Sequence, residues 1–414
     1  MRMSRNKNEK IAIVGGGLSG LSIAHFLKKK GYKNLTIFEK ENRLGGKLFT
    51  YRYKNRTYEL GATFGLSTQK HLNRLMEDVN IRPDGPSLVR VYYDEKGERT
   101  IQIPKRSLGD FVSETDRLPK VLEQYPSIKE FSFEKAERDL LQPFSKWCDN
   151  HGFSILPKIY QNHFTSYGLG EISNVPAMYV LRAIDYDSVR AFLEVPELFT
   201  WESGASEIIT RLGENLDDIR LGQEVLGIKE EEGLRVKTPY ETTLFDKIIW
   251  TAPLTGLAGF FEDPVIEEGI GKITVHDYSV HALSGDHLPR GCGCVLPFVK
   301  GNKKGVPLIW INRWDPSDLI TVFSYRGERQ TKEEHVKRVI AYLNERGAVN
   351  VKPHRIANWK QGPYLKEEVL KRGFYPLLKN MQGKKGLYLA GEILSGVSMD
   401  KVIGYGNAMV EEYF

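Results

Sequence analysis

The sequence predicts an α/β fold. A Rossmann-like dinucleotide-binding domain is interrupted by a discontinuous α+β substrate domain that carries a helical block. Three observations predict it. The stretch IAIVGGGLSGLSIAHFLKKKGYKNLTIFEKENRLGGK, from Ile11 to Lys47, reads as strand, glycine turn, helix, strand, acidic residue and a second glycine pair. A distant segment, GKKGLYLAGEILSGVSMDKVIGYGNAMVEEYF, reads as strand, glycine-bearing loop and helix. Between them, residues from about 107 to 200 carry an aromatic-rich helical pattern with no place in a Rossmann sheet.

The first element is the most specific. Gly15, Gly17 and Gly20 give the G-x-G-x-x-G spacing. Gly15 permits the tight turn, Gly17 lets the backbone approach a pyrophosphate, and Gly20 allows close helix–strand packing. The helix N-terminus, with Ser19 in its first turn, points amide dipoles at the phosphates. Glu39 follows at the end of the second strand, where a carboxylate accepts hydrogen bonds from ribose hydroxyls.

Further along, LFTYRYKNRTYELG alternates and turns at Lys54–Arg56, a hairpin leading into Gly61-Ala62-Thr63-Phe64-Gly65. Residues from about 66 to 80 look helical, and Arg90 to Ile103 looks like a strand pair turning at Glu95–Gly97. Within the helical block, FEKAERDLLQPFSKWCDNHG and NVPAMYVLRAIDYDSVRAFL are the clearest helices. Asn174 is the expected N-cap of the second, with Pro176 just inside its start. The chain then returns through the helix GASEIITRLGENL and a series of short strands to Ile248-Ile249-Trp250, an apolar run suited to a buried parallel strand. A second strand-rich excursion follows. It includes the helix TKEEHVKRVIAYLNERG, which Thr331 and Glu334 start as a capping box. The nucleotide domain is thus expected in three pieces, 1–84, 201–254 and 359–414, and the substrate domain in two, 85–200 and 255–358.

Bulk properties narrow the class. The 414 residues are too many for one compact core. Hydrophobic residues at 41% and charged residues at 27% are ordinary for a globular enzyme. The net charge of +6 is scattered among acids, with no basic stripe, so nucleic acid is not the expected partner. That mild basicity suits an anionic substrate or peripheral contact with an anionic membrane. No apolar stretch reaches the ~18 residues of a membrane span. The tail MRMSRNKNEK reads as a disordered leader without the apolar region of a signal peptide. The three cysteines, Cys148, Cys292 and Cys294, make no disulfide framework, which fits the cytoplasm. Cys292-Gly293-Cys294 lacks a second metal half-site and reads as a glycine-rich turn with bystander thiols. His151 and His163 have no metal spacing, so no metal is expected.

The run Arg43-Leu44-Gly45-Gly46-Lys47 resembles the R-x-G-G-[RK] segment of the two-dinucleotide-binding flavoproteins. The ordered set GGGLSG, RLGGK, YELGATF, GQEVLGI, IIWTAP and LYLAGE resembles the flavin amine oxidase superfamily along the chain. The resemblance implies an FAD domain of that type and non-covalent FAD, since no cysteine lies where some members attach flavin. It implies that Arg43 and Lys47 approach the phosphates, that Gly46 lets the chain pass close by, that Lys40 also meets the cofactor, and that Gly61, Ala62, Thr63 and Phe64 lie along the flavin. Val225 would meet the adenine through its backbone, Gly391 and Glu392 would lie at the phosphates and ribityl chain, and Met399 to Val402 would open a helix facing the pyrimidine ring.

The sequence departs from the amine oxidases at two points. No lysine stands near Tyr278-Ser279-Val280, and Ser398 replaces the amine-caging tyrosine. YELGATFGLSTQ, PDGPSLVRVYYDEKGE, LLQPF, NHFTSYGLGEISNVPAMYVLRAIDY, LFTWESG and GFYPLLKNMQGKKGLYLAGEILS resemble the bacterial polyunsaturated fatty-acid double-bond isomerases. The fungal cyclopiazonate-type dehydrogenases share parts of the pattern. This resemblance implies an oxidoreductase or isomerase that works by hydride transfer to flavin N5 and assigns no catalytic side chain. The substrate would be an apolar acid in a hydrophobic tunnel, with Arg90 and Phe192 at its carboxylate and Tyr167 on its wall. The alternative is an FAD-dependent amine oxidase or a dehydrogenase of a small natural product.

Overall fold

The computed structural model describes residues 6–94, 96–193, 198–296, 305–314 and 316–414, and the side chains of all of these except 191–193. The first five residues of the expected leader lie outside it. A five-stranded parallel sheet forms the nucleotide-binding half. Its order is Leu387–Leu389, Lys247–Trp250, Ile11–Val14, Leu35–Phe38, Asp218–Arg220. Ile11–Val14 is buried along its whole length, as a central strand covered on both faces must be. The helix Leu18–Lys29 lies over this sheet, and the helix Met399–Tyr413 packs on it so closely that a Cβ at Gly406 would stand 2.9 Å from the Ile23 side chain. This is the α/β fold with a Rossmann-like region that the sequence predicts.

The second half is built on a seven-stranded sheet. Its order is Val349–Tyr364, Thr274–Asp286, Leu319–Tyr325, Pro307–Asn312, Gly291–Val295, Arg90–Tyr93, Arg99–Thr100. The helices between residues 108 and 193 accompany it. The capping box of the helix Lys332–Asn344 forms as expected: Thr331 Oγ1 accepts from the Glu334 amide, and the Glu334 carboxylate accepts from the Thr331 amide.

Several expected elements differ, each for a local reason. The segment 133–152 is not one helix. Pro143 sits between a short turn of helix at Arg138–Leu141 and the helix Phe144–Asn150, because proline cannot continue the hydrogen-bond ladder. The segment 174–193 breaks into Ala177–Ala183 and Tyr186–Leu193. Asp185 stops the first helix and accepts from the Ser188 amide and hydroxyl at the start of the second. Pro176, not Asn174, is the N-cap of the first. Cys292-Gly293-Cys294 is no turn. It lies in the strand Gly291–Val295, where Gly293 leaves room for the Trp310 ring, 2.0 Å from where a Cβ would be. The strand Val349–Tyr364 runs through the division expected between 358 and 359.

Candidate functional site

A cavity of about 1070 Å³ opens where the carboxyl ends of the five-stranded sheet meet the seven-stranded sheet. Val14, Phe38, Trp250 and Ala390 bring the first sheet to it; Tyr278, Val280, Ile309 and Phe323 bring the second. Of the candidate residues whose side chains are described, all but Gly20 line this cavity. Gly20 lies beneath it, as its packing role requires: a Cβ there would stand 2.1 Å from the Gly15 carbonyl. Phe192 lies in the last turn of Tyr186–Leu193, and its side chain is outside the described residues.

At the glycine turn, the Gly15 amide donates to the Phe38 carbonyl at 2.8 Å, and Gly15 adopts φ +111°, a conformation that disfavours side chains. Gly17 and Gly46 face each other. A Cβ on Gly17 would meet only the Gly46 Cα, at 4.0 Å. The helix Leu18–Lys29 starts at Gly17 with no side-chain cap and no acid in its first turn, and the Ser19 Oγ is buried without a partner. Bare helix amides and an orphaned hydroxyl beside open space are the donors a pyrophosphate takes. Glu39 is held ready: one oxygen accepts from the Gly16 amide at 2.8 Å and the other from the Glu41 amide at 2.9 Å. Lys40 lines the cavity beside it. Val225 follows Gln223, whose Oε1 is buried without a partner and whose amide donates to the Glu39 carbonyl at 2.9 Å.

The remaining motifs lock onto one another. Arg43 donates to the carbonyls of Leu44 and Gly46 and lies 4.2 Å over the Phe49 ring, so it shapes the glycine loop as well as charging it. Lys47 Nζ lies 2.5 Å from Glu392 Oε2, a contact joining two candidates 345 residues apart. Gly61 passes so close to Lys47 that a Cβ would stand 1.8 Å from its carbonyl, and the Ala62 amide donates to the same carbonyl. Thr63 Oγ1 donates to the Gly61 carbonyl, and the Phe64 ring lies 5.8 Å from the Tyr167 ring. Gly391, at φ +103°, passes under Thr251. The helix Met399–Tyr413 presents Met399 and Val402 to the cavity, and its N-cap Ser398 accepts from the Lys401 amide. The residues present therefore fit a dinucleotide flavin.

The opposite wall carries Arg90, in a strand pairing with Gly291–Val295. Arg90 Nη1 is 3.4 Å from His163 Nδ1, and His163 Nε2 is 3.1 Å from the Gln102 amide. Burial, reinforced by Arg90, holds the His163 pKa well below its ordinary value, so the ring is neutral. A neutral ring accepts at one nitrogen only, so His163 takes a hydrogen bond from either Arg90 or the Gln102 amide nitrogen. Tyr167 stacks on His163 with centroids 6.4 Å apart, and burial raises its phenol far above the usual range. No lysine stands at Tyr278 or Val280. Lys360 also borders the cavity, but its Nζ lies 2.9 Å from Asp277.

Sequence reasoning missed Arg355 and Trp359, which line the cavity from the strand Val349–Tyr364. Trp359 Nε1 donates to the Leu60 carbonyl at 2.7 Å, clamping that strand to the YELGATF motif. The alternation of Arg355, Ala357, Trp359 and Gln361 along the strand was the available signal. Cys292 and Cys294 were missed as lining residues because their strand read as a turn. Among the described residues no cluster of His, Cys, Asp or Glu is placed to hold a metal, and no helix is long and apolar enough to cross a membrane.

A family model described as flavin containing amine oxidoreductase matches residues 18–277. A crystal structure of a CLA-producing fatty acid isomerase from P. acnes is similar over 99% of this chain and 100% of that one, with TM-score 0.92 and 27% identity. Protoporphyrinogen oxidase 2 of Arabidopsis thaliana is 26% identical over 211 residues, which cover 49% of this chain and 38% of that protein, well under two thirds of its length. Nicotine dehydrogenase of Pseudomonas putida (strain DSM 28022 / S16) is 22% identical over 330 residues, which cover 76% of this chain and 67% of that protein.

Proposed function

The chain belongs to the flavin containing amine oxidoreductase family, and on that premise we propose that it binds FAD without a covalent link and shifts a double bond in a long unsaturated acid. Membership carries a flavin cofactor and chemistry of the oxidoreductase or isomerase type. Bound flavin supplies reversible uptake and return of a hydride.

The observation that carries the substrate reading is the charge of the cavity. Its lining acids are Glu39, Glu41, Glu224 and Glu392, all at the end built by the cofactor motifs. Beyond that end the described lining carries apolar side chains and cations, and no carboxylate there would take an ammonium group. Arg90 stands in that wall, and a guanidinium fork matches a carboxylate. The chain's own residues orient and shield rather than exchange protons. Arg90 anchors the acid head, and His163 holds the guanidinium from behind. Ile309, Ile311, Phe323 and Val280 keep water from the hydrocarbon. Tyr167 and Tyr278 stay protonated through burial.

The test is anaerobic incubation of the flavin-loaded protein with linoleate and, separately, with amines. A conjugated diene of unchanged mass, with the flavin oxidised at the end, supports the proposal. Lasting bleaching by amines, with no reaction of the acids, refutes it.

A further inference from the structure

We propose that the face formed by residues 89–94 and 96–112 docks on an anionic lipid bilayer, so that the acid passes into the cavity from a membrane. Docking stands on the surface itself; the passage of the acid rests on the function proposed above.

Exposed apolar side chains recur along this stretch of chain. Val89 is 68% exposed, Ile101 55%, Leu108 47% and Val112 54%. They are four of the eleven exposed large hydrophobic residues among those described. Scattered singly, such residues need no explanation; gathered, they mark a contact surface. The hairpin folds the first part of this stretch back on itself. The strands Arg90–Tyr93 and Arg99–Thr100 pair antiparallel, with Tyr92 opposite Thr100, which returns Ile101 toward Arg90. Gln102 reaches His163, and His163 reaches Arg90, so the segment leaving the second strand stays over the first. The helix Leu108–Leu122 follows, with Leu108 and Val112 one turn apart on one side. Val89 is exposed while its neighbour Arg90 lines the cavity, so the face and the acid-binding wall are two sides of one chain segment.

Charge selects the occupant. Of the charged residues described on this face, Lys96, Arg99, Lys105 and Arg106 are exposed against the exposed acids Glu98 and Asp110, four cations to two acids. Apolar tips interleaved with cations match the headgroup boundary of an anionic bilayer. The core of a protein interface is instead depleted of lysine and contiguous in its apolar area.

The test is flotation of the flavin-loaded protein with phosphatidylcholine vesicles, with and without phosphatidylglycerol. Wild type is expected to float only with the anionic vesicles, and less at high salt. Each cation near such a surface contributes roughly 5-fold, so Lys105→Gln with Arg106→Gln should weaken binding roughly 30-fold. Leu108→Ser with Val112→Ser should abolish flotation at low salt. All variants should turn over monomeric linoleate at the wild-type rate. Equal binding to neutral vesicles, no flotation, or variants that float like wild type would overturn the proposal. So would a concentration-dependent dimer abolished by the same variants, because a second copy would then be the occupant. A protein that floats but oxidises amines would sink the substrate reading and leave docking standing.

Discussion

Replacing Gly17 and Gly20 by alanine, one at a time, separates clearance for a ligand from packing of the chain on itself. A Cβ at Gly17 meets nothing of the protein nearer than the Gly46 Cα at 4.0 Å, and its backbone, at φ −81°, suits any residue. The empty fold therefore tolerates Gly17→Ala, and the stiffer unfolded chain adds about 0.4–1 kcal/mol of stability. The methyl stands instead where the pyrophosphate approaches. Forcing a methyl into a close-packed contact costs about 1–3 kcal/mol, so FAD affinity should fall roughly 5- to 150-fold. At Gly20 the methyl would lie 2.1 Å from the Gly15 carbonyl oxygen and 3.1 Å from Thr251 Oγ1. The turn itself must move, so Gly20→Ala should lose about 3 kcal/mol before any ligand is added. Thermal melts of the flavin-free proteins and fluorescence titrations with FAD on the same preparations read both effects. Gly17→Ala should melt no lower than its parent and bind weakly; Gly20→Ala should melt early. A Gly17→Ala protein that binds FAD as tightly as its parent would refute the placement of the phosphates.

Acid precipitation should release all the flavin, and Glu39→Ala should weaken FAD by about 1.5–3 kcal/mol, the range for hydrogen bonds to a charged group. Flavin in the pellet, or unchanged affinity in the titration, would count against each in turn. Arg90→Ala should cost about 2–4 kcal/mol of acid binding. The loss should appear in KM with kcat little changed, and Arg90→Lys should recover only part of it. Wild-type KM for free acids in the alanine variant would deny Arg90 that contact. Burial, and then His335, lower the His281 pKa to about 3, while burial and the nearby Arg326 and Arg338 lower His335 to about 4. The folded state therefore binds fewer protons than the unfolded one below about pH 6.5. Stability should fall as pH drops from there, with His281 alone contributing about 1.4 kcal/mol per pH unit. Denaturant midpoints across that range should flatten in His281→Phe; an unchanged slope would clear this histidine.

The cofactor end of the cavity was legible because its constraints are local. Gly15, Gly17 and Gly20 have spacings set by a single turn, and Glu39 lies one strand away. The helical block was legible in kind but not in its breaks. Pro143 and Asp185 interrupt periodicities that continue across them, and neither break follows from an apolar pattern alone. The wall opposite the flavin motifs was the least legible. Arg90 and Cys294 come from two strands that only sheet registry sets side by side, and His163 reaches Arg90 from a helix. Gly293 reads as a turn residue until Trp310 fills the place of its missing side chain.

The five-stranded sheet also dictates when, during synthesis, the protein first acquires a place for its ligand. Ile11–Val14 leaves the ribosome early, but its neighbour Lys247–Trp250 comes more than half the chain later, and Leu387–Leu389 later still. Glu392, Met399 and Val402 complete the cleft only after that. Until then the glycine turn presents bare amides to solvent, and the strand beside it waits with open edges, a state that is slow to resolve and prone to pairing with the wrong neighbour. Flavin capture is therefore a late event, since the cleft has all its walls only once the last strand and helix are in place.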